Sequence, residues 1–187
     1  MSIYPLKPDI GSIVSKVREV FKGKRWKKDK KDKEYEQTIE ELGFTEYCGS
    51  GVSRRVYAHN KCDIVIKIEP HGQQWGSRWL QQNVNEVHNW KTMPKELKKY
   101  FAEIYAHDRG CHWVIQEKAK IEKESKEDNW CDLAEELEEK LNKNGLHDLS
   151  VDICSVNIGI VDGRPVVVDY GFYDISNQLK TKSKKVE

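Results

Sequence analysis

The feature that most restricts this fold is the dipeptide Asp162-Gly163, set between the apolar runs Ile158-Gly-Ile-Val161 and Arg164-Pro-Val-Val-Val168. An Asp-Gly pair in that setting is the strongest short-range signal for a two-residue hairpin turn, whose central residues both need positive φ. The turn fixes a register in which Val161 faces Arg164, Ile158 faces Val167 and Asn157 comes opposite Val168. The Asn157 amide then lies about one residue step, roughly 5 Å, from Asp169 on the neighbouring strand. Asp152 precedes Asn157 by five residues, on the loop that feeds the first strand. Two oxygen ligands and a further carboxylate therefore converge at the open end of one hairpin, which suits a hard cation such as Mg²⁺ carrying phosphate.

Composition sets the frame for that hairpin. A chain of 187 residues has the length of one large or two small domains, and 37% hydrophobic against 34% charged residues describes a globular protein with a modest core. Six Trp, eight Tyr and four Phe argue against disorder. The 32 basic and 31 acidic side chains leave a net charge of +1, so no overall field recruits nucleic acid or membrane, and neither is an expected partner. The apolar runs are too short for a membrane-spanning helix and no charged-then-apolar leader opens the chain, so a cytoplasmic protein is expected. Five cysteines stand singly, without a Cys-x-x-Cys pair, as free thiols of a reducing compartment do. His107-Asp-Arg-Gly-Cys111-His112 has the residue types of a zinc site, but a tight turn between two strands explains the same residues and is the expectation.

The hydrophobic period changes along the chain. Ile10, Ile13, Val14, Val17, Val20 and Phe21 recur at helical spacing, with Asp9 or Ser12 as the cap. The basic run Lys22 to Lys33 contains Asp29 and Asp32, which dilute its field, and reads as a solvated linker. A short helix from Glu34 to Leu42 precedes Gly43. From Phe44 the pattern is that of strands: Phe44 to Tyr57 is a strand, a glycine turn and a returning strand, and Asp63 to Glu69 is a third. The segment from Trp75 to Trp90 reads as a helix with Trp79, Asn83, Glu86, Val87 and Trp90 on one stripe. Phe101 to Tyr105 and His112 to Glu117 form a strand pair about Asp108-Arg-Gly. An acidic helix follows, with Trp130, Leu133, Ala134, Leu137 and Leu141 inward, Asn129 as cap and Gly145 as stop.

That order, with those residues, resembles the protein-kinase fold over Phe44 to Phe172. Cys48-Gly49-Ser50-Gly51-Val-Ser-Arg-Arg-Val56 looks like the glycine-rich loop and its following valine, Val65-Ile-Lys67 like the third-strand lysine, and Glu86 like the acid of the mobile helix. Gln116-Glu117 looks like the gatekeeper and first hinge position, Asp152 to Asn157 has the catalytic-loop spacing, and Asp169-Tyr-Gly171 is similar to the metal-binding Asp-Phe-Gly. The resemblance implies an α+β protein: a helical extension with a basic linker over 1–43, an antiparallel nucleotide-binding lobe over 44–117, and a minimal C-terminal lobe over 118–187. It also implies ATP and Mg²⁺ as cofactors. Gly49, Ser50, Gly51, Val56 and Glu117 would line the nucleotide, and Lys67, steered by an ion pair with Glu86, would contact its phosphates. Asn157 and Asp169 would hold Mg²⁺, and Asp152 would take the proton of the acceptor hydroxyl. Residue by residue, the structural alternatives are an exposed strand lysine, a helix-surface acid and a strand-end aspartate.

Several positions depart from the family pattern. Arg54 occupies the third glycine position, Ser150-Val151 stands where the family has His-Arg, and Cys154 replaces the lysine two residues after the catalytic aspartate. Asp148, after His147, is too far from Asn157 to be the catalytic aspartate and reads as a turn. Only Phe172 to Glu187, a basic tail, follow Gly171, so the chain resembles the compact serine/threonine kinases that some bacteriophages encode, which end soon after the metal-binding aspartate. The implied function is phosphotransfer to Ser or Thr hydroxyls of host proteins in the host cytoplasm. Arg54, Cys154 and the short C-terminal lobe keep open a pseudokinase that binds a protein partner, with or without nucleotide, and without turnover. A small-molecule kinase is the third reading, although no substrate-binding insert is visible.

Overall fold

The computed structural model describes residues 9–22, 32–50, 54–69, 82–121, 129–147 and 157–183. These belong to two compact units, one made of Met1–Asn83 with Tyr105–Glu117 and the other of Val84–Ile104 with Lys118–Glu187. The architecture is the α+β one expected, with a five-stranded antiparallel sheet and flanking helices. No helix among the described residues is long and apolar enough to cross a membrane.

In the first unit, helices α1 (Ile10–Phe21) and α2 (Asp32–Glu41) precede strands β1 (Phe44–Ser50), β2 (Arg55–His59) and β3 (Ile64–Ile68). Strands β4 (Ile104–His107) and β5 (Trp113–Glu117) complete the sheet in the order β1-β2-β3-β5-β4. Alternation along the strands sends Tyr57, Ile64, Ile66, Ile68, Trp113 and Ile115 to one face. There they share a core with Val14, Val17 and Phe21 of α1 and with Ile39 of α2. A helix of α1's length is marginal alone, so this burial holds it. Its Asp9 cap accepts the Gly11 N–H at 3.1 Å, and Phe21 meets Trp113 with ring centroids 6.4 Å apart. Helices α1 and α2 thus cover one face of the sheet.

Gly43 joins α2 to β1 with φ of +89°, a conformation that L side chains rarely adopt, and its carbonyl accepts the Asn60 N–H at 2.9 Å. A Cβ there would stand 2.6 Å from His59 Nε2. Gly163 also has positive φ, but a Cβ on it meets nothing within 4 Å. We expect Gly43→Ala to lower stability by more than the ~1–2 kcal/mol of a left-handed residue alone, and Gly163→Ala to remain near that figure. Denaturant midpoints of the two variants check this; equal losses would mean that His59 yields without cost.

The second unit holds α3 (Gln82–Thr92), whose first residues lie in the first unit, the short α4 (Lys95–Lys98), α5 (Asn129–Lys143), the hairpin β6 (Ile158–Val161) and β7 (Arg164–Val167), and α6 (Ile175–Ser183). The hairpin has the expected register, Ile158 opposite Val167 and Val161 opposite Arg164. Both turn residues take positive φ, 48° at Asp162 and 75° at Gly163. The helix expected over Trp75 to Trp90 is described from Gln82; its earlier part lies outside the described residues. Helix α5 buries Leu137 and Leu141 as expected. It ends where Gly145 stands, with Leu146 N–H on Leu141 O and Gly145 N–H on Asn142 O, the paired bonds of a Schellman stop.

Two expectations need correction. Phe101 does not open a strand: the strand begins at Ile104, and the 100–102 backbone instead bridges β7, with Ala102 N–H on Val167 O at 3.0 Å and Val167 N–H on Tyr100 O at 2.9 Å. Phe101 and Ala102 are buried by that pairing, which sequence alternation alone does not reveal. The segment after Gly171 is not only a basic tail, since α6 starts at an Asp174 cap whose Oδ1 accepts the Asn177 N–H and the Ser176 hydroxyl, both at 3.0 Å.

Candidate functional site

In the first unit, the strand registers align Gly49 with Val56, Val56 with Lys67 and Lys67 with Val114. Residues in register share a face of the sheet, and positions two apart return to it. Val56, Ala58, Val65, Lys67, Val114 and Gln116 therefore occupy the face opposite the one that α1 covers. Lys67 is only 4% exposed, so the exposed-lysine alternative does not apply. An ammonium is placed in such a position only where charge or hydrogen-bonding groups offset its desolvation.

Gly49 and Ser50 end β1 opposite Val56 and Arg55, and Glu117 ends β5 opposite Ile64. Gly51 lies outside the described residues. Arg54 is buried, and its Nη1 donates to Asn83 Oδ1 at 2.9 Å. Asn83 in turn donates through Nδ2 to the Lys67 carbonyl at 3.3 Å and through its backbone N–H to Glu69 Oε1 at 2.5 Å. Arg54 thus belongs to a hydrogen-bonded group that includes the Lys67 carbonyl.

In the second unit, the hairpin sets Asn157 opposite Val168, whose N–H donates to the Asn157 carbonyl at 2.8 Å, and Asp169 is the next residue. Both are half-buried, and both lie at the open end of the hairpin. An amide oxygen and a carboxylate are hard donors of the kind Mg²⁺ takes. Asp152, with the rest of the expected catalytic loop, lies outside the described residues.

Glu86 is fully buried on α3, and its Oε1 accepts the Tyr170 N–H at 3.3 Å, so it is not a helix-surface acid. Asn89, three residues on, donates from Nδ2 to the carbonyls of Tyr170 at 2.9 Å and Tyr173 at 2.7 Å, and its Oδ1 accepts the Ile175 N–H at 3.3 Å. Tyr170 is wholly buried, edge-on to Phe101 with centroids 5.1 Å apart, and its hydroxyl donates to the Ala102 carbonyl at 3.0 Å. The residue after Asp169 is therefore held through its N–H, its carbonyl and its side chain.

Asn89 did not stand out in the sequence. The signal available was a cluster of asparagines, Asn83, Asn85 and Asn89, in a segment of helical period, because asparagine is a poor interior helix residue. Their presence in α3 marks tertiary use.

The His107 to His112 segment is a turn, as expected. Asp108 Oδ1 accepts the Trp113 N–H at 3.2 Å, Oδ2 accepts the Gly110 N–H at 3.3 Å and meets His112 Nδ1 at 2.7 Å, and Cys111 has φ of 54°. Among the described residues no group of three or more His, Cys, Asp or Glu side chains is placed to hold a metal ion. Cys48, Cys62 and Cys111 are free thiols. Burial, assisted by the Asp63 charge, pushes the Cys62 thiol up.

No protein-family profile matches the chain, and no curated protein matches it. Among solved structures, the chain is similar to one described as the co-crystal structure of WbdD and the kinase inhibitor LY294002. The sequence identity is 19% and the TM-score 0.48, over 67% of this chain and 32% of that one. The chain thus spans about a third of the length of the protein it matches there.

Proposed function

We propose that this protein is an ATP- and Mg²⁺-dependent phosphotransferase that acts on hydroxyl groups of protein acceptors, in the manner of a minimal serine/threonine kinase. The observation that carries the reading is the cross-strand alignment of Gly49, Val56 and Lys67, with the lysine buried on the face that α1 leaves uncovered. Gly49 permits close approach of a phosphate to the backbone, Val56 offers an apolar wall to a base, and Lys67 offers positive charge. The adjacency of Asn157 and Asp169 at the hairpin end supports the same reading from the second unit. Bound Mg²⁺ would supply charge neutralisation on the transferred phosphate. Asp152 would accept the proton of the attacking hydroxyl. A pseudokinase is the second reading, supported by Arg54 at a position where the family has glycine.

Mass action gives the first test. If the protein binds Mg²⁺-ATP in its folded form only, ligand at about 100 times its dissociation constant adds about 2.7 kcal/mol of stability. We expect a clear rise in melting temperature at millimolar Mg²⁺-ATP. An unchanged melting temperature counts against both the phosphotransferase and a nucleotide-binding pseudokinase, whereas a shift without transfer of label to any protein of a cell lysate selects the pseudokinase.

A further inference from the structure

We propose that Asn89 is a positioning residue for metal binding, which holds the turn after Asp169 in one conformation. The inference deepens the phosphotransferase reading and rests on it. Three polar atoms of the turn meet one buried side chain: the carbonyls of Tyr170 and Tyr173 take both protons of the Asn89 amide, and the Ile175 N–H reaches its oxygen. An asparagine amide has two donors and one acceptor oxygen, so all of its functions are engaged by this one segment. Glu86 lies three residues earlier on the same face of α3 and holds the Tyr170 N–H. The two side chains therefore grip Tyr170 on either side of its α-carbon, which limits both of its backbone torsions.

Fixing Tyr170 also fixes the peptide plane that links it to Asp169. The Asp169 carboxylate consequently departs from a backbone with little rotational freedom on one side, while β7 and the Asn157–Val168 hydrogen bond define the other. A ligand preorganised in this way binds metal without an ordering penalty. The Ile175 N–H is also the first of α6, so the same amide sets where that helix begins.

Substitution by alanine removes the grip and leaves the Tyr170 and Tyr173 carbonyls and the Ile175 N–H to find other partners. The expected result is a specific one, because Asn89 touches neither nucleotide nor metal in this scheme. With ATP fixed and Mg²⁺ titrated, the half-saturating Mg²⁺ concentration, read from the thermal shift, should rise by about tenfold or more in Asn89→Ala. ATP affinity in the presence of a chelator should stay within about twofold of wild type. A residue with a merely structural role would move the unliganded melting temperature and leave the metal dependence alone. Asn89→Gln keeps both donors on a longer stem and displaces the grip instead of removing it; it is the variant to read if alanine does not fold, and a several-fold rise is expected.

Wild-type half-saturation in either folded variant overturns the role of Asn89 while leaving the phosphotransferase intact. Equal weakening with and without Mg²⁺ overturns it as well, because the damage is then to the nucleotide site as a whole. If the wild-type protein itself shows no Mg²⁺-dependent shift, the parent reading fails and this one with it.

Discussion

Lys67→Met is expected to abolish phosphate transfer from ATP while the protein stays folded. Lys67 sits on β3 between Val56 of β2 and Val114 of β5, almost without exposure. Methionine matches its length and is apolar, so it keeps the packing and removes the desolvation penalty of a buried ammonium. Stability should therefore be unchanged or slightly higher. The loss falls on catalysis: one preorganised charge aimed at phosphate oxygens is typically worth about 10²–10³ in turnover, and weaker nucleotide binding adds to the defect. Glu86→Gln should be milder, since the lysine remains and the new amide oxygen can still accept the Tyr170 N–H. Transfer of label to lysate proteins, run beside a denaturant curve, separates the two effects. Full activity in Lys67→Met would mean that β3 does not carry the phosphate-binding lysine.

The second large effect is expected at Asp152, through chemistry and not binding. Asparagine removes the basicity of Asp152 at nearly constant volume, and a general base contributes roughly 10²–10⁴-fold. Turnover should fall by that factor in Asp152→Asn with the Mg²⁺-ATP thermal shift almost unchanged. Asp169→Asn should weaken that shift too, since in the proposed function Asp169 shares Mg²⁺ with Asn157, and it follows Val168, whose N–H bonds the Asn157 carbonyl. An active Asp152→Asn together with an inactive Asp148→Asn would move the catalytic loop to His147-Asp148 and overturn the alignment on which the assignment rests.

Local signals carried most of what the sequence revealed. Asp162-Gly163 predicts its hairpin because a positive-φ requirement is met by few residue pairs, and the structure shows both angles. The α1 stripe is legible because Val14, Val17 and Phe21 satisfy one period, and all are buried. What α1 packs against was not legible: its partners, Ile66 and Trp113 among them, lie far along the chain. Phe101 shows the same limit, since its alternation suits a strand but its neighbours come from β7 and Tyr170. For the candidate site, residue type alone singled out Lys67, Asn157 and Asp169; the structure buries the first and sets the other two at the open end of the hairpin. Residues that only hold other residues, Asn83 and Asn89, carry no motif, because a hydrogen bond to a carbonyl depends on where that carbonyl is folded.

The division of the chain into units bears on how the protein is made. Its backbone passes from one unit to the other after Asn83, back after Ile104 and across again after Glu117. During synthesis, β3 waits for β5, so the first unit stays unfinished until Glu117 has left the ribosome, by which time Val84–Ile104 has also emerged. That segment must wait longer, since Phe101 gains its ring contact only once Tyr170 has been made. No single proteolytic cut or gene truncation yields either unit whole and alone. Fragments such as 1–117 are expected to misfold or to be bound by chaperones, and a cell that expresses this protein should obtain it in full or not at all.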